Sequence, residues 1–158
     1  MRNLTLSILI GALVVLVHQP AFGQSCPTVG DVILNEIRYT PASEAFIELR
    51  GEPGLPLDCL KLVSFNGGAE GTKCDPSTVL EFDSAHFIGA DGYFVLSVEE
   101  LDGTDVVTSK ANLQDGPDGL QIQVVQTGQV LDSLAYGGPL EACETPVMEG
   151  ADPAPSHS

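Results

Sequence analysis

Between residues 31 and 137 no stretch of a dozen residues carries a helical repeat of apolar positions. Short apolar or alternating runs stand there instead, each closed by Gly, Pro, Asn or Asp. A chain interrupted this often is committed to short strands and tight turns. The runs fall at residues 31–39, 45–50, 59–65, 78–82, 92–98, 120–126 and 130–136. In the first, Val32, Leu34 and Ile37 are placed inward, and the alternation breaks at Asn35-Glu36, the mark of a bulge. In the second, Phe46 and Glu48 face one way, and Ile47 and Leu49 are read as not sharing one face. The run 92–98 is the most apolar and is expected to be central, with Phe94 in the core. Thr127-Gly128-Gln129 joins the last two runs as a hairpin. Other turns read at Asn66-Gly67-Gly68, Ala90-Asp91-Gly92 and Asp115-Gly116-Pro117-Asp118-Gly119, where Gly supplies positive φ and Pro fixes a torsion. About seven short strands with such connections predict an all-β, two-sheet sandwich, with a closed barrel as the alternative.

Residues 1–23 have a different character. Arg2 precedes an apolar run from Leu4 to Val17, and Ala21-Phe22-Gly23 offers small residues for cleavage. This is the pattern of a signal peptide, and the run is shorter than the roughly 20 residues a membrane span needs. The expected mature domain covers residues 24–138, secreted or held in the periplasm or at the cell surface, with no membrane span after cleavage.

Charge then narrows the partners. The chain has 22 acidic and 6 basic side chains, a net charge of −16. Removal of Arg2 with the leader takes this to about −17. Such a surface repels phosphate backbones and anionic lipid, so direct nucleic-acid binding is disfavoured. Cys26, Cys59, Cys74 and Cys143 all lie beyond the leader. An even count in an exported chain predicts two disulfides, each contributing about 2–4 kcal/mol. Of the three pairings, Cys59–Cys74 with Cys26–Cys143 is favoured: the first closes a short excursion and the second ties the domain's ends. The spacing fits no zinc knuckle. Residues 139–158, rich in Pro and without alternation, read as a tail.

Five segments carry a resemblance. They are Ile33-Leu34-Asn35-Glu36-Ile37 with Glu44-Ala45-Phe46-Ile47-Glu48-Leu49; Leu57-Asp58 with Leu62-Val63-Ser64-Phe65-Asn66-Gly67; Ala90-Asp91-Gly92-Tyr93-Phe94-Val95-Leu96; Leu113-Gln114-Asp115-Gly116-Pro117-Asp118; and Val130-Leu131-Asp132-Ser133-Leu134-Ala135-Tyr136-Gly137. In this order they resemble lamin-tail domains of the bacterial, secreted kind. The resemblance implies an immunoglobulin-like sandwich. It departs from the family at Arg50-Gly51, at Cys59-Leu60, and at the C-terminus. There the chain stops about where the family's closing segment begins, which implies a missing last edge strand.

Candidate chemistry is sparse. Glu36, Glu44 and Glu48 could run acid–base hydrolysis if held about 5–10 Å apart, but they read better as scaffold accepting hydrogen bonds. Asp102, Asp105, Asp115 and Asp118 could offer oxygens to calcium, yet their spacing matches no calcium loop, and weak or no specific binding is expected. His86 and His157 have no partners in sequence for a triad, and Ser97 and Ser133 sit in strand patterns. No catalytic residue, cofactor site or metal site is assigned. Asn35, Glu36, Glu48, Asp58, Asn66, Gly67, Asp91, Gly92, Gly116, Pro117, Asp118, Asp132, Tyr136 and Gly137 are assigned to the structural motif. The reading that follows is an exported, non-catalytic binding or structural module for a protein or surface component. The alternative is a remnant or accessory subunit of a secreted metal-dependent nuclease. Exported material is expected to begin near Gln24, which N-terminal sequencing checks; a membrane-embedded protein retaining Met1 contradicts it.

Overall fold

The computed structural model describes residues 25–67, 74–138 and 140. The expected leader, Cys143 and, apart from Leu140, the expected tail lie outside the described residues.

The described residues form strands β1 (Val32–Arg38), β2 (Phe46–Gly51), β3 (Leu60–Asn66), β4 (Pro76–Glu81), β5 (Tyr93–Ser97), β6 (Val106–Val107), β7 (Asp118–Val124) and β8 (Val130–Tyr136). Two four-stranded sheets result, ordered β1-β2-β5-β6 and β4-β3-β7-β8. Every pairing is antiparallel except the short β5–β6 pair. This is a β-sandwich, as the run pattern predicts. Among the described residues no helix is long and apolar enough to cross a membrane.

The period of two decides which side chains meet between the sheets. Ile47, Leu49, Phe94 and Leu96 from the first sheet and Leu60, Leu62, Leu120 and Ile122 from the second all belong to one core cluster. Ile47 and Leu49 therefore do share a face, as residues two apart on a strand must, against the sequence reading. The expected bulge at Asn35-Glu36 is present. The β1–β2 register runs Leu34↔Leu49 and then Glu36↔Glu48, which leaves Asn35 as the extra residue. The strand missing from the sequence reading is β6. Two residues are too few to show a period, and β6 exists because the preceding loop folds back. Ser97, fully buried, meets the Thr104 hydroxyl at 2.9 Å, and the Asp105 N–H donates to the Val95 carbonyl.

The disulfides differ from expectation. Cys26 is bonded to Cys59, with Cα atoms 5.9 Å apart. Cys74 is also in a disulfide. The favoured Cys59–Cys74 link is excluded by the hairpin between them. Lys61 pairs with Glu81 and Phe65 with Pro76, so Cys59 and Cys74 stand at opposite ends of β3–β4. At about 3.3 Å per residue that strand separates them by roughly 20 Å, far beyond disulfide reach. Cys26 instead ties the segment before β1, in the first sheet, to the residue just before β3 in the second. Asp31 shapes the turn between Cys26 and β1. Its carboxylate accepts the Thr28 N–H at 2.7 Å and the Thr28 hydroxyl at 2.8 Å, which together hold it below the usual carboxylate range.

Phe94 occupies the middle of the core, with Phe82 and His86 each edge-on to its ring at 5.6 Å. Phe94→Ala is expected to cost about 3–5 kcal/mol in urea unfolding. A change within about 0.5 kcal/mol, typical of a surface site, contradicts the placement.

Candidate functional site

Asn66 and Gly67 of the second segment, Gly116, Pro117 and Asp118 of the fourth, and Tyr136 and Gly137 of the fifth converge at one end of the second sheet. Asn66 ends β3 opposite Asp118, and Asp118 opens β7 opposite Tyr136. The three are lateral neighbours across three strands. Asp118 lies two, four and six residues from Leu120, Ile122 and Val124, so its side chain points to the core side of the sheet. It is 6% exposed. A carboxylate there needs donors. The Gly67 N–H donates to Asp118 Oδ1 at 3.0 Å, and the Tyr136 hydroxyl lies 3.4 Å from Oδ2. Burial and the neighbouring Asp118 carboxylate push the Tyr136 phenol far above its ordinary pKa, so it stays neutral and donates. The Tyr39 ring covers Tyr136, its centroid 5.1 Å away.

Glycine is required where the backbones themselves touch. Gly116 and Gly137 have φ of +77° and +71°. A Cβ on Gly116 would lie 2.8 Å from both the Gly137 Cα and the Tyr136 carbonyl oxygen, and one on Gly137 would lie 2.6 Å from the Asp115 carbonyl oxygen. Pro117 follows, its carbonyl accepting the Gly67 N–H at 2.9 Å. Beside this junction opens a cleft of about 290 Å³, lined in part by Asn66, Asp75, Lys110, Asn112, Gln114 and Asp118. Asp75, Lys110 and Asn112 were not singled out from sequence, because isolated polar residues in turns carry no spacing signal. Gln114 belongs to the fourth segment. Here its side chain accepts from Asn66 Nδ2 at 3.4 Å.

The remaining motif residues are placed elsewhere. Asp132 of β8 accepts the Leu34 N–H of β1 at 2.7 Å, joining the two sheets along one side. Glu48 accepts from the Asn35 amide at 2.6 Å and stands directly across from Glu36. Glu44 pairs instead with Arg38 at 2.7 Å on the exposed surface. Asp91 Oδ1 accepts the Tyr93 N–H at 3.1 Å, setting the turn at Gly92. Asp58 is exposed at the approach to β3. The four aspartates considered for calcium are divided. Asp105 accepts the Val95 N–H at 2.8 Å against the first sheet, whereas Asp118 is enclosed in the second. Asp102 and Asp115 are exposed in turns. Among the described residues no group of three or more His, Cys, Asp or Glu side chains is placed to hold a metal ion. The Asp83 N–H donates to His86 Nδ1 at 2.9 Å, and the His86 ring stands edge-on to both Phe82 and Phe94.

No protein-family model matches the chain, and no curated protein matches it in sequence.

The glycine contacts make a graded prediction. Gly128, in the β7–β8 turn, has φ of +70° but open space around it. Gly128→Ala is therefore expected to cost only the left-handed backbone term, about 1–2 kcal/mol. Gly116→Ala and Gly137→Ala add a backbone collision and should each cost about 1–3 kcal/mol more. Urea unfolding of the three variants checks the order; equal losses contradict the close approach.

Proposed function

We propose that the chain is an exported, non-catalytic module of the lamin-tail kind, with an immunoglobulin-like sandwich, that binds a protein or surface component outside the cytoplasm. The ordered motifs and the leader-like N-terminus support the reading. So do cysteines that, among the described residues, are all in disulfides.

The observation that carries it is how the motif's polar groups are used. Asp91, Asp118 and Asp132 each accept a backbone N–H, and Glu48 holds Asn35. These groups serve as framework, and on this reading partner recognition falls to side chains outside the motif. The cleft beside the Asp118 junction offers Asp75, Lys110 and Asn112 for that purpose.

The test uses the mature protein with its disulfides intact. Labelled protein is expected to bind envelopes of the producing cells saturably at physiological salt, and unlabelled protein should compete. With DNA or RNA and magnesium it should produce no hydrolysis. Nuclease activity abolished by Glu48→Gln would overturn the reading in favour of the enzyme.

A further inference from the structure

We propose that Asn66-Gly67 is a latent deamidation site held closed by Asp118, so that Asn66 converts to aspartate or isoaspartate only when the β3–β7–β8 junction opens.

The chemistry is intrinsic to the dipeptide. The Gly67 nitrogen loses its proton to hydroxide and attacks Cγ of Asn66. The N–Cγ bond forms, the Cγ–Nδ2 bond breaks, and ammonia leaves with a proton taken from water. Water then adds to either carbonyl of the cyclic imide and reopens it to aspartate or isoaspartate. No oxidant or reductant is needed. Glycine in the second position leaves the attacking nitrogen unscreened by any Cβ.

In the folded chain each of these motions is blocked. The Gly67 N–H is buried between Asp118 Oδ1 at 3.0 Å and the Pro117 carbonyl at 2.9 Å. Taking a proton from a nitrogen lodged against a carboxylate is electrostatically opposed. The Asn66 carbonyl accepts the Cys74 N–H at 2.8 Å, its amide reaches Gln114, and its backbone is in register with Asp118. Cγ therefore cannot swing onto the Gly67 nitrogen while the junction is closed. The attacking nitrogen cannot be screened by substitution at position 67, because a Cβ on Gly67 would collide with the Pro117 carbonyl oxygen.

The product also cannot close the junction again. Aspartate at 66 sets a second negative charge beside the enclosed Asp118. Isoaspartate inserts an extra backbone atom at the residue paired with Asp118 and destroys the register. Opening is thereby recorded in one direction.

The mature, disulfide-intact protein would be incubated at mildly alkaline pH in buffer and in urea. Isoaspartate and aspartate at Asn66 would be followed by peptide mapping. Because opening must precede reaction, the folded protein is expected to convert at least about a hundredfold more slowly than the unfolded one. Asp118→Ala, shown folded by circular dichroism, should convert about tenfold faster than wild type, the effect of losing one charged hydrogen bond. Tyr136→Phe serves if that variant does not fold, with a smaller acceleration in the same direction. Asp102-Gly103, in an exposed turn, is the internal control, and its isomerisation should not respond to either substitution. Conversion of folded wild type within about threefold of the unfolded rate overturns the proposal, since it needs no opening. So does an unchanged rate in a folded variant, or an equal acceleration at Asp102-Gly103.

Discussion

A carboxylate on the core side of a central strand is the constraint around which one end of this sandwich is built. Left without donors, Asp118 would cost several kcal/mol to bury. Three chain segments meet to prevent that: the end of β3 brings the Gly67 N–H, the end of β8 brings the Tyr136 hydroxyl, and the turn before β7 brings the chain itself. Meeting so closely forces glycine at positions 116 and 137. The polar group thus dictates the turn chemistry around it, where the ends of β3, β7 and β8 lie side by side.

The same economy governs the sheet edges, which are the exposed liabilities of a sandwich. On one side the edge strands β1 and β8 face each other, and the Asp132 side chain accepts the Leu34 N–H in place of a backbone partner. The bulge at Asn35 turns β1 locally, and Asn35 secures its own amide on Glu48. On the other side β4 begins with Pro76, which has no N–H to offer, and Lys110 donates to the Thr78 carbonyl at 3.3 Å. β6, two residues long, leaves little edge to pair. Cys26–Cys59 adds a covalent tie from the segment before β1 to the residue before β3.

What could be read from sequence was whatever depends on local pattern. Alternation located every strand long enough to show it, and β8 at its full observed extent, because a period of two survives several residues. The break at Asn35-Glu36 marked the bulge for the same reason. β6 was invisible at two residues. The cysteine pairing was not legible either. Cys59 and Cys74 are near in sequence, but the strand between them carries them apart, and chain separation measures loop length rather than distance in the fold. At the junction, sequence supplied the participants without their geometry. Asn66, Gly67, Gly116, Pro117, Asp118, Tyr136 and Gly137 were all picked out, yet nothing local shows that Asp118 sits between Gly67 and Tyr136. That contact depends on β3, β7 and β8 being neighbours.

This division has a consequence for function. The residues most recognisable in the sequence are those whose side chains or missing side chains are consumed by backbone: Asp91 by Tyr93, Asp118 by Gly67, Asp132 by Leu34, and Gly116 by Gly137. A group committed to the protein's own N–H donors is held in place by them and is less free to select a partner. Under the proposed reading, specificity belongs to positions that the framework holds but does not use. Lys110 is an example: it lines the cleft, it is exposed, and it spends one donor on the edge of β4 while an ammonium has three. A chain can keep the junction intact while those positions vary, so resemblance in the framework informs the fold far more than the ligand.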